Sequence, residues 1–169
     1  RTFTDLFGRE LRMAVYDPSN AAIAVGPSGG SCPTIKQGIT EATPTSIRFI
    51  QDLNGDGDTA DGNENVRYYL NGTSIMRQDG NATAIALVDG IQSGGITFTY
   101  YNQANPPTEI VPSGSPAVLS SAQRDCVAKV RVQLTAQLSN PQFYNIQPLI
   151  SATDTEVAIR SRSLVNSAF

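Results

Sequence analysis

The sequence predicts a single α+β domain in which an N-terminal amphipathic helix packs on an antiparallel β-sheet. Apolar side chains recur at three- and four-residue steps over the first 16 positions, whereas apolar and polar residues alternate after Pro44. The chain has 169 residues, which suits one domain with a sizeable core, and no repeat or break in composition divides it. We therefore treat residues 1–169 as one globular domain.

The predicted helix covers residues 1–16, and the domain's helical part ends at Asp17. Its apolar face consists of Phe3, Leu6, Phe7, Leu11 and either Ala14 or Val15. Arg1, Asp5, Arg9 and Arg12 fall on the opposite face. Because the residue before a proline avoids helical geometry, Asp17-Pro18 is expected to end the helix.

Residues 18–45 are rich in Gly, Pro, Ser and Ala, which predicts a loop-rich linker. Residues 46–169 then form the predicted β-sheet head. Asn71-Gly72 between two alternating segments is a strong hairpin signal, so residues 46–78 are expected to form a three-stranded meander. The further predicted strands are residues 96–101, 126–138 and 156–164, with residues 83–88 either a short strand or a packing segment.

The densest acidic segment lies in the first turn of this meander, at residues 52–64 (DLNGDGDTADGNE). Five of the fifteen acidic side chains fall here, without a single Lys or Arg. Carboxylates this close together repel one another, so a bound cation would favour folding of the loop. The alternative interpretation is a solvated acidic turn that binds no ion.

The spacing of the oxygen-bearing side chains partly matches that of an EF-hand, although the flanking segments are strands and not helices. The first, third and fifth positions match and the sixth is glycine, but the twelfth is Asn63. Asp61 and Glu64 therefore compete for the remaining acidic position, and Asp58 is expected to use its backbone carbonyl. The predicted Ca²⁺ ligands are Asp52, Asn54, Asp56, Asp58, Asp61 and Glu64.

Composition argues against several classes of function. The chain has no histidine, which removes the commonest general base and the Ser-His-Asp arrangement, so we expect no enzyme and no small-molecule substrate. The ten Arg and two Lys residues are scattered over a chain of net charge −3, which indicates no direct nucleic-acid binding. Residues 52–64 thus remain the main candidate site.

Two cysteines, Cys32 and Cys126, lie 94 positions apart and match no zinc or redox motif. An even cysteine count together with a Ca²⁺ loop favours an oxidising compartment, where a Cys32–Cys126 disulfide would persist. Two unpaired core thiols are the alternative.

The order of several segments resembles that of type IV pilin-like proteins, and within them minor pilins of the PilW type. The segments that carry the resemblance are residues 7–17 (FGRELRMAVYD), 47–58 (IRFIQDLNGDGD), 66–70 (VRYYL), 86–91 (ALVDGI), 96–101 (ITFTYY) and 156–162 (EVAIRSR). The resemblance implies a pilin-like fold, with residues 1–17 as the C-terminal part of a long helix. It also implies a hydrophobic segment, absent from this sequence, that anchors the subunit in the inner membrane.

In function, the resemblance implies a structural subunit that joins other minor pilins in a pilus-initiation or tip complex. Such a subunit resides in the inner membrane before assembly, and in the periplasm and the extracellular pilus afterwards. A pseudopilin of a type II secretion system has the same architecture and is the nearest alternative.

A Ca²⁺-stabilised extracellular adhesin or carbohydrate-binding module is the alternative from another class. It requires clustered exposed aromatic rings, for which the candidates are Tyr68, Tyr69, Tyr100 and Tyr101. Because neighbouring residues of a strand point to opposite faces, we expect at least half of these rings to lie in the core.

Overall fold

The computed structural model describes residues 3–24, 37–138 and 149–159. Within these ranges the chain forms two helices and nine strands in two antiparallel sheets. The elements are α1 (Phe3–Met13), β1 (Ile39–Ala42), β2 (Ser46–Ile50), β3 (Asn65–Asn71), β4 (Ser74–Asp79), β5 (Ile85–Val88), β6 (Ile91–Tyr101), β7 (Glu109–Ile110), α2 (Ser121–Asp125), β8 (Lys129–Leu138) and β9 (Leu149–Ala158).

The first sheet is a meander of β1 to β5 in sequence order. The predicted hairpin is confirmed, because Asn71 pairs with Ser74 and Gly72 takes the left-handed conformation that a tight turn requires (φ 61°). The acidic segment connects β2 to β3, which pair in antiparallel register from Ser46↔Tyr69 to Ile50↔Asn65. The predicted three-stranded meander is therefore present, and β1 and β5 extend it on either side.

The second sheet has the order β7-β6-β8-β9. Its longest pairing joins β8 to β9, from Lys129↔Ala158 to Leu138↔Leu149. On the outer face, Lys129 pairs with Glu156 and Arg131 with Asp154, so charged partners cover that side of the sheet.

The two sheets share one hydrophobic core with α1. Phe7 of α1 is fully buried, and its ring lies 5.2 Å from that of Tyr68 on β3 and 5.6 Å from that of Phe98 on β6. One aromatic side chain of the helix therefore contacts both sheets. Two backbone hydrogen bonds also join the first sheet to the rest of the chain. Phe98 N–H of β6 donates to Pro44 C=O in the β1–β2 turn (2.8 Å), and Leu119 N–H, just before α2, donates to Ala42 C=O of β1 (2.9 Å).

The predicted α+β, pilin-like fold of a helix packed on one antiparallel sheet is wrong. The described residues are mostly strand, form two sheets, and have one short N-terminal helix of 11 residues. An 11-residue helix is about 16 Å long, and its buried residues share one core with apolar residues of both sheets. Alternation along the chain predicted strands, but it carries no information on how strands divide between sheets.

Local boundaries differ from prediction in several places. The last strand, β9, covers Leu149–Ala158 and not residues 156–164, and β7 and α2 were not predicted. β1 lies inside residues 18–45, the range predicted to be a linker, and α1 ends at Met13. Val15 follows with φ 69°, a conformation that breaks the helix before Asp17-Pro18 is reached. Neither α1 nor α2, the helices of the described part of the chain, has the length and apolar character of a membrane span.

Candidate cation-binding loop

The acidic loop, residues 52–64, is closed at its base by residues that continue the β2–β3 ladder. Gln51 N–H donates to the carbonyl of Glu64 (2.8 Å), and the Gln51 side-chain amide donates to the carbonyl of Asn63 (2.6 Å). Gln51 is almost completely buried, which is unusual for an amide side chain and shows that the base is tightly packed. The ends of the loop are thus held at fixed positions on the sheet.

Asp52 organises the first half of the acidic loop. Its carboxylate is completely buried and accepts hydrogen bonds from the backbone N–H groups of Gly55 (2.6 Å) and Gly57 (3.1 Å). Both glycines have positive φ (78° and 93°), which lets their N–H groups turn back toward the carboxylate without steric cost. The hydroxyl of Ser19 adds a third bond at 3.2 Å.

Glu64 organises the second half in a similar way. It is 1% exposed, and its Oε1 accepts from Leu53 N–H (2.7 Å) and Asn54 N–H (3.4 Å). Its Oε2 accepts from Asp61 N–H at 3.3 Å. The two acids at the ends of the loop therefore satisfy backbone donors and determine the path of the chain between them.

Three of the predicted ligands converge on the exposed side of the loop. The Asn54 side-chain amide donates to Asp56 Oδ2 (2.9 Å) and to Asp61 Oδ2 (2.8 Å), so one amide bridges two carboxylates. The backbone N–H of Asp58 and then the Asn54 side chain lower the pKa of Asp56, which keeps this exposed carboxylate ionised at neutral pH. The Asn54 amide nitrogen thus lies between the two carboxylates, whereas its Oδ1 accepts the backbone N–H of Asp56 (3.1 Å).

Asp58 does not join this group through its side chain, because its Oδ1 accepts from Ala60 N–H (2.8 Å) within a local turn. The structure thus brings the side chains of Asn54, Asp56 and Asp61 together. Those of Asp52 and Glu64 instead accept hydrogen bonds from backbone N–H groups of the loop. Across residues 3–24, 37–138 and 149–159, no three Asp, Glu, His or Cys side chains are arranged as a ready metal-binding group. The carboxylates of Asp56 and Asp61 nevertheless offer hard oxygen atoms, the kind of ligand that Ca²⁺ prefers.

Asp17 and Ser19 also belong to this region, and sequence reasoning missed them. The Ser19 hydroxyl lies 3.1 Å from Asp17 Oδ1 and 3.2 Å from Asp52 Oδ2, which places it between two buried carboxylates. Asp17 Oδ2 also accepts from Ile23 N–H (3.1 Å). Asp17-Pro18 marked only the end of a helix in the sequence. The contact of Ser19 with Asp52, 33 residues away, exists only in the folded chain.

The other predicted features lie away from the loop. Tyr68 and Tyr100 are fully buried, as expected for core residues, whereas Tyr69 and Tyr101 lie beneath the cations of Arg67 (4.5 Å) and Lys129 (4.9 Å). The four rings therefore do not form one aromatic surface. Cys32 lies outside the described residues, so the predicted Cys32–Cys126 disulfide stays a prediction.

No protein-family model matches the chain, and no curated protein or solved structure is significantly similar to it. Function must therefore be argued from the residues themselves.

Proposed function

We propose that this protein is a non-catalytic structural subunit of an extracellular filament, a minor pilin of a type IV pilus, with a Ca²⁺-binding acidic loop. The order of sequence segments supports the pilus assignment. The two-sheet fold does not support the pilus assignment, because it differs from the helix-on-sheet arrangement that the resemblance implied. The partners would be other pilin subunits, contacted through surfaces and loops of the domain.

The observation that carries the Ca²⁺ part is the bridging of Asp56 and Asp61 by one side chain, Asn54. Two carboxylates held on one amide concentrate negative charge, and this charge is exposed to solvent on a loop without a basic residue. Ca²⁺ would neutralise it through carboxylate oxygens of Asp56 and Asp61, and the Asn54 amide would turn so that its oxygen replaces its N–H₂ group beside the ion. Asp52 and Glu64, already bonded to backbone N–H groups, would hold the loop in place around the ion.

Isothermal titration calorimetry with CaCl₂ tests the Ca²⁺ part. We expect a saturable heat and a higher Tm at millimolar Ca²⁺, because a ligand at about 100 times its Kd stabilises a protein by about 2.7 kcal/mol. Absence of both effects would show that the acidic loop is a solvated turn.

Mass spectrometry of the protein from its native cell envelope tests the subunit part. A long apolar segment upstream of Arg1 that begins with a methylated residue would support a pilin-type subunit. It would leave the choice between a pilus and a type II secretion system to the identity of the partners.

A Ca²⁺-stabilised extracellular binding module is the second candidate. The observation that favours it is the pair of antiparallel sheets around a common core, an architecture that many cell-surface domains share. In the same mass-spectrometry experiment, a conventional secretion-signal scar near Arg1 would favour this candidate and contradict the pilus assignment.

A further inference from the structure

The start of the acidic loop is bonded to the segment that follows α1. Val15 N–H donates to the carbonyl of Ile50 (2.9 Å), and Asp52 N–H donates to the carbonyl of Tyr16 (2.7 Å). These two backbone bonds place the end of the helix beside the last residues of β2. The Ser19 hydroxyl then reaches the Asp52 carboxylate, as described above. Movement of the chain after α1 would therefore disturb the residue that organises the first half of the loop.

The end of the acidic loop is bonded to α1 itself through Arg77 of β4. The guanidinium binds Glu10 of α1 at two points, Nε to Oε2 (3.1 Å) and Nη2 to Oε1 (3.0 Å). The same Nη2 donates to Asn63 Oδ1 at 2.8 Å. The Arg77 and Glu10 side chains are only 10% and 11% exposed, so the ion pair is shielded from water and its loss is costly.

Asn63 is well placed to transmit this contact. It has φ 67°, its N–H donates to both oxygens of Asp79 (2.9 and 2.8 Å), and it directly precedes Glu64. Asn63 thus connects Arg77, which binds α1, to Glu64, the acid that closes the loop. Two separate sets of contacts, one at each end of the loop, lead to the same helix.

We infer that the acidic loop and α1 form one coupled unit, in which order in the loop strengthens the docking of α1 and docking of α1 strengthens order in the loop. Arg77 and Asn63 act as positioning residues for the loop. Where the loop binds Ca²⁺, which rests on the proposed function, binding would tighten α1, and α1 docking would raise the Ca²⁺ affinity by the same factor.

Hydrogen exchange measured by mass spectrometry tests the coupling. A variant of the loop is tested by exchange in α1, and a variant of α1 is tested by exchange in the loop. In Asn63→Gly, which keeps the positive φ but removes the bond to Arg77, amides of α1 are followed. In Glu10→Gln, which weakens the ion pair but keeps the shape of the side chain, amides of residues 53–62 are followed. Glu156→Gln is the control, because it weakens an exposed ion pair on the second sheet.

Without Ca²⁺ we expect exchange to become about 5-fold faster or more in α1 of Asn63→Gly and in the loop of Glu10→Gln. A 5-fold change corresponds to the low end of typical coupling free energies. Amides of β8 should be unchanged, which separates local coupling from global destabilisation. The control should change neither segment. Unchanged exchange in α1 of Asn63→Gly and in the loop of Glu10→Gln would overturn the inference.

Ca²⁺ titration adds a second readout that separates this inference from the proposed function. If the wild type binds Ca²⁺, Glu10→Gln should bind it about 5-fold more weakly, and Ca²⁺ should slow exchange in wild-type α1. Equal affinity with no slowing would contradict the coupling. If the wild type binds no Ca²⁺, the proposed site fails, while the metal-free exchange data still decide whether loop and helix are coupled.

Discussion

Tyr68 of β3 donates a hydrogen bond to Glu10 of α1 across 2.5 Å, although the tyrosine is completely buried in the core. Burial, and then the negative charge of Glu10, raises the pKa of Tyr68 above its ordinary range, so the phenol stays protonated and remains a donor. Arg77 binds the same carboxylate from β4. The contact therefore joins the helix to two adjacent strands of the first sheet.

Tyr68→Phe should lower the free energy of unfolding by about 1 kcal/mol, because it removes one hydrogen bond and leaves the ring packing intact. Urea denaturation measures the change. Tyr69→Phe is the matched control, since Tyr69 is only partly buried on the opposite face of the strand. Equal stability of the two variants would show that the hydroxyl of Tyr68 contributes nothing.

Asp56→Ala should abolish the increase in Tm that Ca²⁺ produces, because it removes one of the two carboxylates that converge on Asn54. Without Ca²⁺ its stability should stay within about 0.5 kcal/mol of the wild type, as is usual for exposed positions. Thermal denaturation with CaCl₂ or EDTA tests this. Asp89→Ala, an exposed carboxylate in a different turn, should keep the full response. A Ca²⁺ response retained in Asp56→Ala would exclude Asp56 as a ligand.

Glu41 should make stability depend on pH in the acidic range. Burial alone would raise its pKa, but hydrogen bonds from Arg67 and Ser46 outweigh burial and lower the pKa below the ordinary value of 4.5. A lowered folded-state pKa means that the stabilisation is present above pH 4.5 and is lost as the pH falls through the folded-state pKa.

Glu41→Gln should accordingly be less stable than the wild type at pH 6, by about 0.5 kcal/mol for a partly exposed ion pair. The difference should shrink as the pH falls below 4.5. Denaturation curves at several pH values measure it. A difference that is independent of pH would show that the charge of Glu41 is not responsible.

Gly38→Ala should destabilise the protein by about 1–3 kcal/mol through overpacking. A methyl group at Gly38 would lie 2.2 Å from Val15 Cγ2 and 2.9 Å from Val15 Cα, so the backbone would have to shift. Gly62→Ala is the control, because nothing lies within 4 Å of an added Cβ there and its φ is not positive. Similar unfolding free energies for the two variants would contradict the close approach of residues 15 and 38.

The sequence alone determined part of the local structure, although it did not predict β1, β7 or α2 and misplaced the bounds of β9. Apolar residues at helical spacing identified α1, alternation identified β2, β3 and β4, and Asn71-Gly72 located the hairpin, because these signals depend on neighbours along the chain. The acidic loop was also identified, since its spacing is itself a sequence property. The roles within it were not, because Asp52 and Glu64 became buried acceptors of backbone N–H groups.

Only the tertiary structure decided how the strands divide between two sheets and where the helix lies. These features depend on contacts between distant residues, such as Phe7 with both Tyr68 and Phe98, or Arg77 with Glu10. The same holds for Ser19 beside Asp52 and for Arg77 beside Asn63. Periodicity shows which side of a segment is apolar, whereas the partner that covers that side is selected only when the whole chain packs.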